Sequence, residues 1–251
     1  MKKTLVMGIV NVTPDSFSDG GKYFKPEEAL ARARNLIEEG ADILDLGGES
    51  TRPGATPLGW EEEWARLEPV LAGLVGAAAK KPCPVPISID TYHPETAERA
   101  LAAGAKILNC VYEEPVPAMI RVIRASGRQD AELVLPAKCR ELIVRANAEG
   151  PWPIPYYLDP MIGFGTTREE DVALLAATAE LAAKGPVLIG ASRKRIVKKL
   201  TGEKVTGKNL GGNLGLAIWC ALNGASVVRV HDVRETVQAL RVVETLQAAK
   251  A

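Results

Sequence analysis

Residues 86–111 read PISIDTYHPETAERALAAGAKILNCV, and this stretch decides the fold. The run 86–90 is short and mostly apolar, as in a buried strand, and 106–111 repeats that character. Between them, 94–103 has the composition of a helix, with Pro94 at its start and Gly104 after its end. A strand, a helix and a second strand in this order are typical of a parallel sheet covered by helices.

The same alternation runs along the whole chain. Predicted strands occupy residues 5–12, 42–46, 86–90, 106–111, 132–135, 155–159, 187–191 and 227–230. Predicted helices occupy residues 26–39, 61–80, 94–103, 117–125, 138–148, 168–184, 209–223 and 234–249, with a shorter one near 193–200. Eight such units match the usual length of a (β/α)8 barrel, and no G-x-G-x-x-G motif favours an open dinucleotide-binding sheet. We therefore predict an α/β fold with a single (β/α)8 TIM-barrel domain over residues 1–251.

Composition narrows the class of protein. Hydrophobic residues make up 47% and charged residues 25%, which fits a globular chain rather than a disordered or coiled-coil one. Lys+Arg and Asp+Glu number 31 each, so the basic excess of a nucleic-acid-binding protein is missing. The 4 cysteines are scattered and there are only 2 histidines, which disfavours a zinc site or a disulfide framework and indicates a reducing compartment. The apolar run 4–10 is too short for a signal peptide or a membrane span, so we expect a cytoplasmic protein with small-molecule partners, without membrane or nucleic acid.

Polar residues stand at or just after the ends of most predicted strands, where a TIM barrel carries its active face. Three of them are hydrogen-bond acceptors: Asp90, Asn109 and Asp159. Three are cationic or can become so: Lys194, Arg229 and His231. Each alone could cap a helix or face solvent. Together at one rim they would be costly to desolvate without a polar ligand.

The two groups suit different parts of one ligand. Carboxylate and amide oxygens suit a heterocycle rich in N–H donors. The cations suit a phosphate or diphosphate, and Asn11 offers an oxygen ligand for Mg²⁺. Long glycine-rich segments, 11–21 and 47–54, follow the first two strands; they are predicted to act as lids over this pocket, or else are ordinary surface connections.

Two long motifs carry a family resemblance. Residues 8–21 read GIVNVTPDSFSDGG and residues 45–54 read DLGGESTRPG. Shorter segments continue the likeness: SIDT at 88–91, Asn109, LDP at 158–160, GFG at 163–165, SRK at 192–194 and RVHD at 229–232. In these motifs, and over nearly its whole length, the chain resembles the dihydropteroate synthases, a pterin-binding TIM-barrel family.

The resemblance implies a transferase of folate biosynthesis. In that reaction 6-hydroxymethyl-7,8-dihydropterin diphosphate condenses with 4-aminobenzoate to give 7,8-dihydropteroate and pyrophosphate. The implied pterin ligands are Asp90, Asn109, Asp159 and Lys194. The implied diphosphate and Mg²⁺ residues are Thr51, Arg229, His231 and the metal ligand Asn11. The implied aminobenzoate residues are Phe17, Ser18, Arg52, Pro53, Phe164 and Arg195, and the residues implied in catalysis are Asp19, Asp90, Asp159 and Lys194.

The chain departs from the family pattern beside the expected pterin site. Cys110 stands where an Asp is usual, Met161 replaces a usual Gly and Thr166 a usual Lys. Residues 135–138 (LPAK) lack the usual Met-His-Met type of sequence, and the stretch after them is short. These differences concern the wall of the pterin pocket rather than the diphosphate or lid segments.

Three other functions fit some of these residues. A pterin-binding methyltransferase shares the acidic floor but needs neither the diphosphate residues nor the first lid. A non-catalytic pterin-binding relative would explain the changes at 135–138, and a Schiff-base aldolase could use Lys194 between Arg193 and Arg195. Small residues along 210–217 favour close helix packing, either on the barrel itself or in the homodimer that the resemblance implies.

Overall fold

The protein is described by a computed structural model over residues 3–13, 25–50, 56–75, 82–205 and 207–249. Its strands are β1 (Leu5–Asn11), β2 (Ile43–Gly47), β3 (Ile87–Asp90), β4 (Ile107–Asn109), β5 (Glu132–Pro136), β6 (Tyr156–Asp159), β7 (Leu188–Ile189) and β8 (Val227–Val230). Its helices are α1 (Pro26–Glu38), α2 (Trp60–Val75), α3 (Pro94–Ala102), α4 (Val116–Ser126), α5 (Arg140–Glu149), α6 (Arg168–Ala176), α7 (Thr178–Ala182), α8 (Arg195–Thr201), α9 (Leu210–Leu222) and α10 (Val233–Ala248).

The strands form one parallel sheet in the order β6-β5-β4-β3-β2-β1-β8-β7. A single bridge between Leu158 and Val187 joins β6 to β7, so the sheet returns on itself. The hydrogen bond from Leu158 N to Pro186 O, 2.8 Å long, supports this closing contact. The predicted TIM barrel is confirmed.

The barrel interior changes from apolar to polar along the strand direction. Side chains alternate along a strand, and residues in register on parallel strands lie on the same face. One interior cluster fills the amino-terminal half of the barrel with Met7, Ile43, Ile107, Val134, Leu188 and Val227. Two residues further along β2, β4 and β8, the same inner faces carry Asp45, Asn109 and Arg229. The polar residues therefore stand at the carboxyl end of the barrel, above an apolar plug.

Helices cover the outside of the sheet and build the larger core. Leu36, Leu67, Leu71 and Val197 are fully buried between helices and strands in one cluster. A second cluster lies under α3 to α5. None of the described helices combines the length and the apolar character that crossing a membrane requires.

The predicted helix 168–184 is wrong in its continuity, because it is divided at Ala177 into α6 and α7. The Thr178 hydroxyl and the Trp219 indole N–H both donate to the carbonyl of Leu175, at 2.7 and 3.0 Å. These side chains compete for a carbonyl that an unbroken helix would use for its backbone ladder. The predicted helix 138–148 starts differently as well, with a 3-10 turn at Ala137–Cys139 before α5.

Candidate active site

Arg229 lies at the centre of the polar end of the barrel. Its Nε donates to Asp45 Oδ2 at 2.6 Å, and its Nη2 donates to Asp90 Oδ2 at 2.7 Å. The three residues come from β8, β2 and β3, so one guanidinium joins three strands across the interior. Charge-assisted hydrogen bonds of this kind are the stronger ones in proteins.

Asp45 was missed as a site residue in the sequence. It belongs to the DLGGESTRPG motif but lies two residues before the end of β2. The sequence prediction considered only residues at or after strand ends and therefore did not include it. Its side chain is fully buried, and Oδ2 also accepts a hydrogen bond from Asn109 Nδ2 at 3.2 Å. One feature of the sequence does indicate Asp45: it is an acidic residue inside an otherwise apolar strand, two residues from Gly47 and therefore on the same face of the sheet.

Asp159 and Lys194 form the other side of the mouth. Asp159 Oδ1 accepts a hydrogen bond from the backbone N–H of Met161 at 2.7 Å. Lys194 Nζ donates to the carbonyl of Ile162 at 2.6 Å and lies 4.3 Å from the centre of the Phe164 ring. Both residues are thus held by the segment that follows β6.

Arg229 and Lys194 approach the same space above Gly190. A Cβ atom added at Gly190 would lie 3.8 Å from Arg229 Cδ and 4.0 Å from Lys194 Nζ. The acceptors Asp90, Asn109 and Asp159 and the cations Lys194 and Arg229 therefore meet at one mouth.

Two residues with left-handed backbone conformation position this mouth. Met161 has φ +64° and Arg193 has φ +58°, in a region where residues other than Gly are uncommon. The Arg193 N–H donates to Asn213 Oδ1 at 2.9 Å, and its guanidinium pairs with Asp232. These contacts hold the turn that directs the Lys194 side chain inward.

Burial shifts the ionisation of the buried groups. It raises the pKa of Asp90 to about 7; Arg229 opposes this rise and Asp45 adds to it. It lowers the pKa of Lys194 to about 8, against the effect of Asp159. It raises the pKa of Asp159, partly offset by Lys194. Burial also opposes the charge of Arg229, but Asp45 and Asp90 outweigh it and hold its pKa above the usual value.

A second acidic group lies behind the mouth. Glu63 of α2 is fully buried, and its Oε2 accepts a hydrogen bond from Thr91 Oγ1 at 2.7 Å, directly after Asp90. Burial raises the pKa of Glu63, while hydrogen bonds from Thr96 and Thr91 lower it. A Cβ atom on Gly48 would come within 3.0 Å of Glu63, so the glycine allows this close packing. Sequence reasoning missed Glu63, because it reads as part of the acidic first turn of an ordinary helix.

A cavity of about 750 Å³ opens beside Asp159. It extends over the ends of β5 and β6 towards α6 and α7, and its walls include Tyr112, Pro136, Phe164 and Leu181. Pro136 and Ala137 line it at the end of β5. Its size lies within the range of small-molecule sites.

The remaining predicted residues lie around this centre or outside the described residues. His231 Nδ1 is 3.1 Å from Ser192 Oγ, two residues beyond Arg229. Asn11 ends β1 in register with Gly47, whose other neighbour is Asp90. Arg195 is exposed at the first residue of α8. Six predicted residues lie outside the described residues: Phe17, Ser18, Asp19, Thr51, Arg52 and Pro53.

The chain is similar to known proteins over nearly its whole length. The family model described as "Pterin binding enzyme" matches residues 7–149 and 151–231. A dihydropteroate synthase of Neisseria meningitidis serogroup B is 41% identical over 273 residues, covering 98% of this chain and 94% of the relative. That of Escherichia coli K12 is 36% identical over 266 residues, covering 98% of this chain and 92% of the relative.

A solved structure is similar in fold as well as in sequence. The dihydropteroate synthase of Xanthomonas albilineans with 4-aminobenzoic acid superposes with a TM-score of 0.87 at 38% identity, covering 98% of this chain and 94% of that chain. The same enzyme in complex with 7,8-dihydropteroate gives a TM-score of 0.83 at 36% identity over 98% of this chain and 94% of that one. The chain belongs to the dihydropteroate synthase family of pterin-binding enzymes.

Proposed function

We propose that this protein catalyses the condensation of 6-hydroxymethyl-7,8-dihydropterin diphosphate with 4-aminobenzoate, giving 7,8-dihydropteroate and pyrophosphate. The observation that carries the proposal is the single mouth at which acceptors meet partly buried cations, through contacts such as Asp90–Arg229 and the charge pair of Asp159 and Lys194. The relatives compared above carry the name of this activity.

The acceptors bind the pterin ring. Asp90, Asn109 and Asp159 offer oxygen atoms to the ring N–H groups, which is the polarity that a guanidine-like heterocycle needs. Lys194 is held beside Asp159 by the Ile162 carbonyl, and its other ammonium N–H groups are proposed to bind the ring acceptors. The Phe164 ring lies over that ammonium and closes the apolar side of the site.

The reaction replaces one bond by another at the pterin methylene carbon. Its C–O bond to the diphosphate breaks, and the electron pair leaves with pyrophosphate. The amine nitrogen of aminobenzoate forms the new C–N bond and then gives a proton to the leaving group or to solvent. Positive charge develops on the pterin in between, and the carboxylates of Asp90, Asp159 and the lid residue Asp19 stabilise it more than they stabilise the neutral ring.

The cations bind the diphosphate. Arg229 and His231 belong to β8 and the residue after it. Thr51, outside the described residues, is the third residue proposed for this role. The Arg229 guanidinium donates to two carboxylates, Asp45 and Asp90, and we propose that its Nη2 exchanges Asp90 for phosphate oxygens when substrate binds. Asp45 stays on its Nε as that exchange occurs.

The residues of this site fit a Mg²⁺ ion that binds together with the substrate diphosphate. Among the described residues, no three His, Cys, Asp or Glu side chains form a group that could hold a metal ion. Mg²⁺ typically binds through one or two protein oxygens together with substrate phosphates, and the amide oxygen of Asn11 is suited to that role. When bound, the ion would neutralise charge on the departing pyrophosphate.

Six residues are proposed to bind aminobenzoate. Phe17, Ser18, Arg52 and Pro53 belong to the two lid segments, outside the described residues, whereas Phe164 lies in the loop after β6 and Arg195 begins α8. Arg52 and Arg195 would hold the carboxylate of aminobenzoate. Closed lids would also exclude water, which competes with the amine for the pterin carbon.

Pyrophosphate release tests the proposal. We expect release that requires both the pterin diphosphate and 4-aminobenzoate, with dihydropteroate formed in equal amount. Pterin binding without turnover would indicate a non-catalytic relative, and transfer of a methyl group from a reduced folate would indicate a methyltransferase. Either result contradicts the proposed reaction.

Compartment and assembly follow from other features. All 4 cysteines are free thiols, which supports a reducing compartment, the cytoplasm. Trp219 and Leu222 on α9 and Val242 and Leu246 on α10 are exposed apolar side chains on two helices that contact each other. We propose that α9 and α10 contribute to the contact between two copies in a homodimer, which sedimentation analysis would test.

A further inference from the structure

Asp45 is a fully buried carboxylate that contacts two residues of the proposed pterin and diphosphate sites. Its Oδ2 lies 2.6 Å from Arg229 Nε and 3.2 Å from Asn109 Nδ2. It stands two residues before Gly47, whose neighbour in register is Asp90. Asp45 therefore lies one layer beneath the mouth, on the apolar plug, and supports the mouth from below.

This contact fixes the direction of the Asn109 amide. A carboxylate only accepts hydrogen bonds, so Asn109 must turn its NH₂ group towards Asp45. Asn109 Oδ1 is then left buried, with no hydrogen-bond partner among the described residues. A buried acceptor without a partner is costly, unless a ligand supplies the donor. The orientation thus leaves a ready acceptor for a ring N–H group.

The same carboxylate keeps Arg229 in place while its other partner changes. Arg229 reaches Asp45 through Nε and Asp90 through Nη2, so the two contacts use different nitrogen atoms. If a ring N–H group replaces the Nη2 contact on Asp90, the Nε contact with Asp45 is unaffected. A second, buried anion then prevents the guanidinium from becoming an unpaired charge.

We propose that Asp45 is a positioning residue for pterin recognition: it presents Asn109 Oδ1 as an acceptor and anchors Arg229 beside Asp90. The proposal rests on the proposed function, because it assumes that Asn109 and Asp90 bind the ring. Asp45 lies below the ring and acts through these two neighbours.

Three variants test it by steady-state kinetics. Asp45→Ala removes the acceptor, and we expect the KM for the pterin diphosphate to rise about tenfold to a hundredfold, while the KM for 4-aminobenzoate stays within about threefold. Asp45→Asn keeps an oxygen that can accept from Asn109 but removes the charge that pairs with Arg229, so we expect it to recover only part of the loss. Ser88→Ala is the matched control, since Ser88 is equally buried, lies in register with Asp45, and its Oγ has no hydrogen-bond partner among the described residues.

The outcomes separate this proposal from the proposed function. No pyrophosphate release by the wild-type enzyme contradicts the function itself. An active wild type with an unchanged pterin KM in Asp45→Ala overturns the role of Asp45. Equal impairment in Asp45→Ala and Asp45→Asn overturns the acceptor argument, and equal impairment in Ser88→Ala shows a general packing effect instead.

A measurement on the ligand-free wild type does not depend on a variant folding. In ¹⁵N-labelled protein, the side-chain NH₂ protons of Asn109 should exchange with solvent far more slowly than those of the exposed Asn35. Exchange at the same rate for both would mean that Asn109 is not held by Asp45, and would overturn the proposal.

Discussion

At the residue scale, pterin binding should be sensitive to a single substitution in the pair of Asp159 and Lys194. Asp159→Asn replaces an acceptor by a group that also donates, and it leaves the buried Lys194 without its nearest opposite charge. We expect pterin binding to weaken about 100-fold, because a buried charged hydrogen-bonding partner is lost. Calorimetric titration with the pterin diphosphate measures this.

The matched control for that variant is Asp130→Asn. Asp130 forms an ion pair with Arg128 on the exposed surface and is not one of the residues at the barrel mouth. Substituting it should leave pterin binding unchanged. Equal affinity of Asp159→Asn and wild type would remove Asp159 from the pterin site.

Asp90 offers a prediction on pH. Its charged neighbours are Arg229, Asp45, Glu63 and Lys194, and burial raises its pKa to about 7. Asp90 therefore binds a proton more tightly in the folded protein than in the unfolded chain. The stability that this proton contributes is present in full below the unfolded-state pKa of about 4 and is lost as the pH rises through about 7.

Carboxyl ¹³C NMR titration checks this prediction residue by residue. Asp90 should titrate near pH 7, and pterin binding should lower that pKa, because ring N–H groups favour the ionised acceptor. Asp130 provides the internal reference, since its hydrogen bonds from Arg128 hold its pKa below the usual value. Titration of Asp90 in the same range as Asp130 would contradict the buried geometry.

At the element scale, the loop after β6 is built around a strained residue. Met161 has φ +64° and donates its N–H to Asp159. Met161→Gly removes the left-handed strain, whereas Met161→Ala keeps it and loses the same side chain. We therefore expect the glycine variant to be more stable than the alanine variant by about 1 kcal/mol.

Urea unfolding of both variants measures the difference. At ordinary helical or extended positions the order is reversed, with Gly less stable than Ala. That reversed order at position 161 would contradict the observed backbone conformation.

The sequence predicted the positions of the strands and helices well, but it did not predict that the helix over 168–184 is interrupted. Short apolar runs and Pro–Gly boundaries predicted all eight strands to within a few residues, because buried parallel strands have a simple composition. The break at Ala177 depends on Thr178 and on Trp219 from α9. A contact from another element is a tertiary effect, and the local helical pattern carries no sign of it.

At the scale of the whole molecule, the barrel has one weak seam. A single bridge joins β6 to β7, and β7 has only 2 residues, whereas β1 pairs with β2 over 5 residue pairs. Amide hydrogens of Leu188 and Ile189 should therefore exchange sooner than those of β1, because local opening starts where fewest contacts hold. Hydrogen exchange read by mass spectrometry tests this, and slower exchange in β7 would contradict it.

The convergence of the site was predictable because the fold itself produces it. Once the strands are parallel and closed, Asp90, Asn109 and Asp159 must share one end of the barrel. Asp45 and Glu63 were not predictable in the same way, because one lies below the strand end and the other on a helix. Both residues reach the site through tertiary packing, and a prediction based on the residues at strand ends does not include such contacts.

The proposed reaction requires that one mouth of the barrel bind a pterin ring beside a diphosphate. A crystal structure of the protein with 6-hydroxymethyl-7,8-dihydropterin diphosphate tests this most directly. We predict ring N–H groups on Asp90, Asn109 and Asp159, with Arg229 moved from Asp90 to the phosphate oxygens and still bonded to Asp45. A ligand bound elsewhere, with Arg229 still on Asp90, would contradict it.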